Sequence, residues 1–92
     1  MPKFFFDFRD GARRTRDAEG LELANAESAK REAMVAVAQV LQLEESDDDR
    51  RVVECRVRDS RDNEVYSVSL AFNGAWAGDE SRHPRLRSIS RI

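Results

Sequence analysis

Apolar and polar residues alternate at the start of the chain. Phe4, Phe6 and Phe8 fall on one side of an extended backbone, and Phe5, Asp7 and Arg9 on the other. A period of two with aromatics predicts a half-buried strand over residues 3–9. Asp10-Gly11 follows, a pair suited to the positive φ of a tight hairpin turn. The return strand is expected over residues 13–17. It is almost wholly charged, which suits a sheet edge, where charge discourages pairing with foreign strands. Asp17-Ala18-Glu19-Gly20 makes a second turn, and Leu21 and Leu23 tuck back as apolar anchors.

The period then changes. Asn25 is the expected N-cap, and Glu27 suits the positive end of the helix dipole. Ala26, Ala29, Ala33, Ala36, Val37 and Val40 form one stripe at spacings of three and four, predicting a helix to about Leu43. The stripe is rich in alanine, so the helix can approach a sheet closely. Val35 and Ala38 fall on the solvent side. Glu44-Glu45-Ser46-Asp47-Asp48-Asp49 opposes the negative end of the dipole and reads as a solvated loop. Alternation returns over residues 51–58, with Val53, Cys55 and Val57 against Val52, Glu54, Arg56 and Arg58. After a polar connection, residues 65–72 set Tyr66, Val68, Leu70 and Phe72 against Val65, Ser67, Ser69 and Ala71.

The pattern therefore predicts an α+β fold: two β-hairpins flanking one α-helix (ββαββ). Its four-stranded, mainly antiparallel sheet carries the helix on one face. Residues 1–76 make a single domain and residues 77–92 a disordered, basic C-terminal tail. One helix covers one side of such a sheet, so the other side is left open. Phe5, Asp7, Arg9, Val52, Glu54, Arg56, Val65 and Ala71 alternate onto that open side. They are the candidate interface, because an aromatic and aliphatic residues among charges mark a contact patch.

The opening residues, Met-Pro-Lys-Phe-Phe-Phe-Asp-Phe-Arg-Asp-Gly, resemble the signature of a family of short bacterial proteins known as a domain of unknown function. Asp17-Ala18-Glu19-Gly20-Leu21-Glu22-Leu23 is similar to that family's Asp-x-x-Gly-x-x-Leu segment. Ala29-Lys30-Arg31-Glu32-Ala33 is similar to its Ala-x-x-Glu-Ala helix start. The resemblance spans about residues 1–72 and implies a fold without implying a reaction, substrate or partner. A more distant likeness is to HicB-type antitoxins, which place a strand hairpin before an Ala-rich helix. This chain lacks the Pro/Gly/Cys-containing loop expected before that helix.

Composition narrows the chemistry. Sixteen Lys plus Arg face eighteen Asp plus Glu in 92 residues, so no whole-chain field favours nucleic acid. Only Lys3 and Lys30 are lysines. A GC-rich genome explains the arginines most simply; bidentate carboxylate or phosphate contacts are the rarer cause. One Cys and one His cannot build a Cys/His zinc site or a disulfide framework. Cys55 alternates inward as a small core residue, and His83 sits beside Pro84 in the tail, so no catalytic residue and no cofactor is expected. No apolar run reaches the roughly 18 residues of a membrane span. Asp7 arrives too soon for a signal peptide, and the chain is read as cytoplasmic.

The expected function is a non-enzymatic protein-interaction module, its partner a foreign protein or a second copy bound through the open sheet face. Two alternatives come from other classes. Asp7, Asp10, Asp17 and Glu19 would, if they converged at the first hairpin, hold Mg²⁺ or Ca²⁺ for a carboxylate-based enzyme. Arg9, Arg13, Arg14 and Arg16 are interleaved among them, which favours ion pairing instead. The tail carries Arg82, Arg85, Arg87 and Arg91 against Asp79 and Glu80, enough for a weak, salt-sensitive contact with nucleic acid.

Overall fold

The computed structural model describes residues 1–43 and 48–78. Its elements run β1 (Lys3–Asp10), β2 (Arg13–Thr15), β3 (Leu21–Glu22), α1 (Ala26–Leu43), β4 (Arg50–Arg58) and β5 (Glu64–Asn73). All strand pairings are antiparallel, in the order β2-β1-β4-β5. The α+β fold read from the periodicity is the observed one. The alternation of β1 places Phe4 and Phe6 inward, and cross-strand partners continue that row: Phe6 faces Val57, and Val57 faces Tyr66. Residues 44–47 of the acidic loop and residues 79–92 of the expected tail lie outside the described residues, with His83 and the four tail arginines.

The first hairpin departs from the expectation. The return strand stops at Thr15, and Leu21–Glu22 forms an additional short strand against Lys3 and Phe4. β1 is thus edged by two pieces of strand with a gap between them. Asp17 fills the gap. Its Oδ2 accepts from the amide of Phe6 at 3.0 Å, and its own amide donates to Asp7 Oδ1 at 2.9 Å. A carboxylate side chain satisfies an edge amide where a strand would otherwise be needed. The same carboxylate turns the loop: Oδ1 accepts from the amides of Glu19 and Gly20, both at 3.1 Å.

Gly20 closes this arrangement with φ of +75°. A Cβ there would stand 2.9 Å from Lys3 Cγ and from Phe5 Cε2, so both the conformation and the space call for glycine. The chain then returns to the sheet, with the Leu23 amide donating to Pro2 O at 3.0 Å. The Leu23 side chain packs on the core, whereas Leu21 stays exposed.

Asn25 caps α1 as expected. Its Oδ1 accepts from the Ser28 amide at 2.9 Å. The helix lies over β4 and β5, burying Ala29, Ala33 and Val37. Ala26, placed on the stripe by its spacing, is exposed in the first turn. The core joins those three helix residues to Phe4, Phe6, Val53, Cys55 and Val57, with Phe8, Val40, Leu41, Tyr66, Val68 and Leu70 packed around them. Ala29 and Ala33 are fully buried because only a small side chain fits where the helix rests on the strands. β4 and β5 join through a turn organised by Asp59, whose Oδ1 accepts from the amides of Arg61 and Asn63. Asp62 takes a positive φ of 70° there, a conformation Asp tolerates better than most residues. Just beyond, Val57 pairs with Tyr66 but Arg58 with Glu64, so Val65 is the extra residue of a β-bulge.

Candidate interaction face on the open side of the sheet

Register decides which expected residues come together. β1 pairs with β4 so that Phe5 faces Arg58, Asp7 faces Arg56 and Arg9 faces Glu54. Val52 faces Ala71, Glu54 faces Ser69 and Arg56 faces Ser67 across β4 and β5. These residues form the side of the sheet away from α1. All eight residues of the candidate interface lie on it or at its bulge.

The face divides into two zones. The first is a charged lattice over β1 and β4. Arg9 Nε lies 3.8 Å from Glu54 Oε1, and Arg56 bridges Glu54 at 3.4 Å and Glu64 at 3.7 Å. Their arginines are about half exposed, Arg9 at 47% and Arg56 at 56%, and each pair is worth less than about 1 kcal/mol. A shallow depression of about 370 Å³ opens beside them, bordered by Arg9, Arg14, Arg16 and Arg56, with Asp7 and Glu54. Arg14 faces Arg9 directly across the β1–β2 pair. Like charges so placed repel. The second zone is small and uncharged: Val52 is 49% exposed and Val65 41%, with Ser67, Ser69 and Ala71 between them.

Phe5 differs from an exposed aromatic. It is half-buried because the Arg58 guanidinium lies over its ring, 4.8 Å from the centroid. Arg58 is the feature that reading the sequence missed. Its Nε donates to Asp7 Oδ2 at 2.7 Å, and Nη2 donates to Asp7 Oδ1 at 3.1 Å and to Asp17 O at 2.8 Å. Nη1 reaches Asp62 Oδ1 at 3.3 Å. One planar fork therefore ties β4, β1, the Asp17 turn and the β4–β5 connection. Its signal was faint. Arg58 is one of several arginines in an alternating strand, and only register shows which one meets Asp7.

The carboxylates of the alternative cation site do not all converge; they make ion pairs and turns, as the interleaved arginines favour. Strand parity puts Asp7 on the open face and Asp10 on the inner one. Asp10 is held by Arg51, with Nε to Oδ1 at 3.2 Å and Nη2 to Oδ2 at 2.8 Å, while Arg51 Nη1 donates to Leu41 O at 3.4 Å. Asp7 and Asp17 adjoin, but their oxygens accept from backbone amides and Arg58. Burial alone would raise the Asp7 carboxyl; hydrogen bonds from Arg58 and the Asp17 amide hold it below the usual range. Burial likewise opposes the amides of Phe6, Gly20 and Glu19 at Asp17, and the amides win. The Arg51 fork lowers Asp10. Among the described residues no three acids, histidines or thiols form a metal site. Cys55 is fully buried, and desolvation, with Asp7, Asp17 and Glu54 nearby, pushes its thiol up to about 12.

The fold and this face define a small α+β domain with one helix-covered side and one open, arginine-latticed side. The chain belongs to the family described as Domain of unknown function (DUF6894), whose model matches residues 3–71. No curated protein and no solved structure matches it. Among the described residues, no helix is long and apolar enough to cross a membrane.

Proposed function

We propose that this domain is a non-enzymatic module that captures an acid-bearing protein partner on the open face of β1, β4 and β5. One observation carries the reading: Arg14 and Arg9 face each other at the edge of the depression, beside an uncharged strip that holds Val52 and Val65. A partner carboxylate set between the two guanidiniums relieves their repulsion and accepts from both. The partner's apolar neighbours then cover the strip. Interfaces of this kind combine a small apolar centre with an arginine-bearing rim. Among the described residues, Cys55 is engaged by burial, and Asp7 and Asp17 by hydrogen bonds.

The test compares capture by the wild-type chain and by two face variants, Val52→Asp and Arg9→Glu with Arg14→Glu. These side chains are exposed, so the melting temperature should stay close to wild type. A protein retained by wild type and lost by both variants supports the reading. A protein retained equally by all three overturns it. Amide shifts at Asp7 and Asp17 on adding Mg²⁺ or Ca²⁺ would favour the carboxylate enzyme instead.

A further inference from the structure

The two edges of the sheet are built differently. The β1 edge is blocked by the charged β2, by β3 and by the Asp17 carboxylate. The β5 edge is bare: among the described residues no strand lies beyond it. β5 is also the longest strand, and its stretch from Val65 to Phe72 contains no charge, no Pro and no Gly. Natural monomers blunt such edges with charge, Pro or a central bulge, because a row of free amides and carbonyls recruits another strand. Here the bulge lies at Val65, near the end of the strand, leaving the rest regular.

The inner side of β5 is unfinished as well. Tyr66, Val68 and Leu70 are only partly buried, and Phe72 is 46% exposed. The helix flank above this edge is marked by Lys30, whose Nζ lies 5.8 Å from the centroid of the Tyr66 ring. Met34, one turn along that flank, is 47% exposed.

We infer that β5 pairs antiparallel with β5 of a second copy of this chain, joining two five-stranded sheets into one continuous sheet. The inference concerns the strand edge and does not depend on the partner proposed for the open face. Self-complementarity selects the occupant. Antiparallel partners facing each other point the same way, so a two-fold axis through a residue keeps inner rows together. Centred on Ser69, the pairing sets Tyr66 against Phe72 of the second copy, Val68 against Leu70, Ser67 against Ala71, and Ser69 against its own counterpart. Aromatic meets aromatic, aliphatic meets aliphatic, and no like charges meet. Glu64 falls outside the paired apolar row. The second sheet also brings the second helix alongside, on the same side as the first, where Met34 gains cover.

Sedimentation of the full chain over a concentration series tests this, with amide exchange read on the same samples. Wild type should pass from 10.5 kDa to twice that mass. Protection of alternate amides in β5 should rise with concentration. Ser69→Lys and Ser69→Glu place like charges at the two-fold axis, and each alone should be monomeric with an unchanged circular dichroism spectrum. Mixed in equal amounts, the two should form a heterodimer. Val52→Asp, on the open face, should dimerise as wild type does. A wild-type chain that stays monomeric at every concentration overturns the inference. So does a dimer that survives both single variants, or one that forms without new protection in β5.

Discussion

Removing the Arg58 fork should destabilise this domain more than the loss of an exposed ion pair does. The structure sets the size of the effect. The Arg58 side chain is 14% exposed and that of Asp7 is 23%, so the pair lies between a surface ion pair and a buried one. A surface pair contributes under about 1 kcal/mol, whereas breaking a buried one costs about 3–5 kcal/mol. Arg58→Ala removes two charge-assisted bonds to Asp7 and the bond to Asp17 O, and it uncovers the Phe5 ring. The expected loss is about 2–3 kcal/mol. At about 4–8 °C per kcal/mol for a domain of this size, the melting temperature falls by about 10–20 °C.

Arg58→Lys separates charge from geometry. It keeps the cation but cannot form the fork or cover the ring as a plane does, and should lose about 1 kcal/mol. A double-mutant cycle with Asp7→Asn isolates the pair, with an expected coupling of about 1–2 kcal/mol. The cycle is read by urea unfolding at neutral pH and again in acid. Asp7 has a depressed folded-state pKa, so its contribution is present above its unfolded value and lost as pH falls through the folded one. The difference between wild type and Arg58→Ala should therefore shrink in acid. Coupling below about 0.5 kcal/mol at neutral pH would refute the clamp, as would Arg58→Lys behaving as wild type.

Other expectations follow from the same geometry. Gly20→Ala combines a left-handed φ with a Cβ 2.9 Å from two side chains, and should cost at least about 1 kcal/mol in chemical denaturation. A stability equal to wild type would mean the turn refolds without strain. Asp7, Asp10 and Asp17 all have lowered carboxyl values, so stability should be level above about pH 5 and fall below about pH 4 as they protonate. Unfolding midpoints that rise on acidification would contradict that sign. Cys55, buried with its thiol pushed up to about 12, should react with a thiol reagent only at the rate of global unfolding, and at once in denaturant. Rapid labelling of the native chain would place it outside the core. Ala33→Leu should cost about 1–3 kcal/mol, because a fully buried alanine leaves the larger side chain no volume under the helix.

What was legible in the sequence is what period and local chemistry encode. The phenylalanine alternation of β1, the Asn25 cap and the alanine stripe are each determined by neighbours a few residues apart. They placed β1 and α1 correctly. Arg58 meeting Asp7 and Arg51 meeting Asp10 depend on register across 51 and 41 positions of sequence, and no local rule supplies that. A hint was available for Arg51. It shares the parity of Val53, Cys55 and Val57, so it is the charged residue on an inward row. Asp17 was read as a turn residue, and it is one. Its second task, filling the gap in the β1 edge, became visible only once β2 proved too short.

Most of the residues that carry the family resemblance are accounted for by architecture; Arg9, exposed on the open face, is the exception. Phe4 and Phe6 fill the core, Asp7 anchors Arg58, Asp10 anchors Arg51, and Gly11 turns the hairpin with φ of 65°. Asp17, Gly20 and Leu23, the fixed points of the second matching segment, respectively fill the edge, make the left-handed turn and pack the core. Ala29 and Ala33 let the helix down onto the sheet. A signature made of such residues specifies a fold, which is why it points to no reaction. On the proposed reading, the residues that select a partner lie at positions the architecture leaves free. In this chain those are Arg9, Arg14, Val52 and Val65 on the open face, and the uncharged edge of β5. Substitutions there should change what the domain binds while leaving its melting temperature nearly fixed; substitutions among the signature residues that build the core, the turns and the ion-pair anchors should do the reverse. Scanning both sets for stability and for capture in parallel would separate them, and a variant at Phe4, Phe6, Asp17, Gly20, Ala29 or Ala33 that keeps full stability yet loses binding would show that the division is wrong.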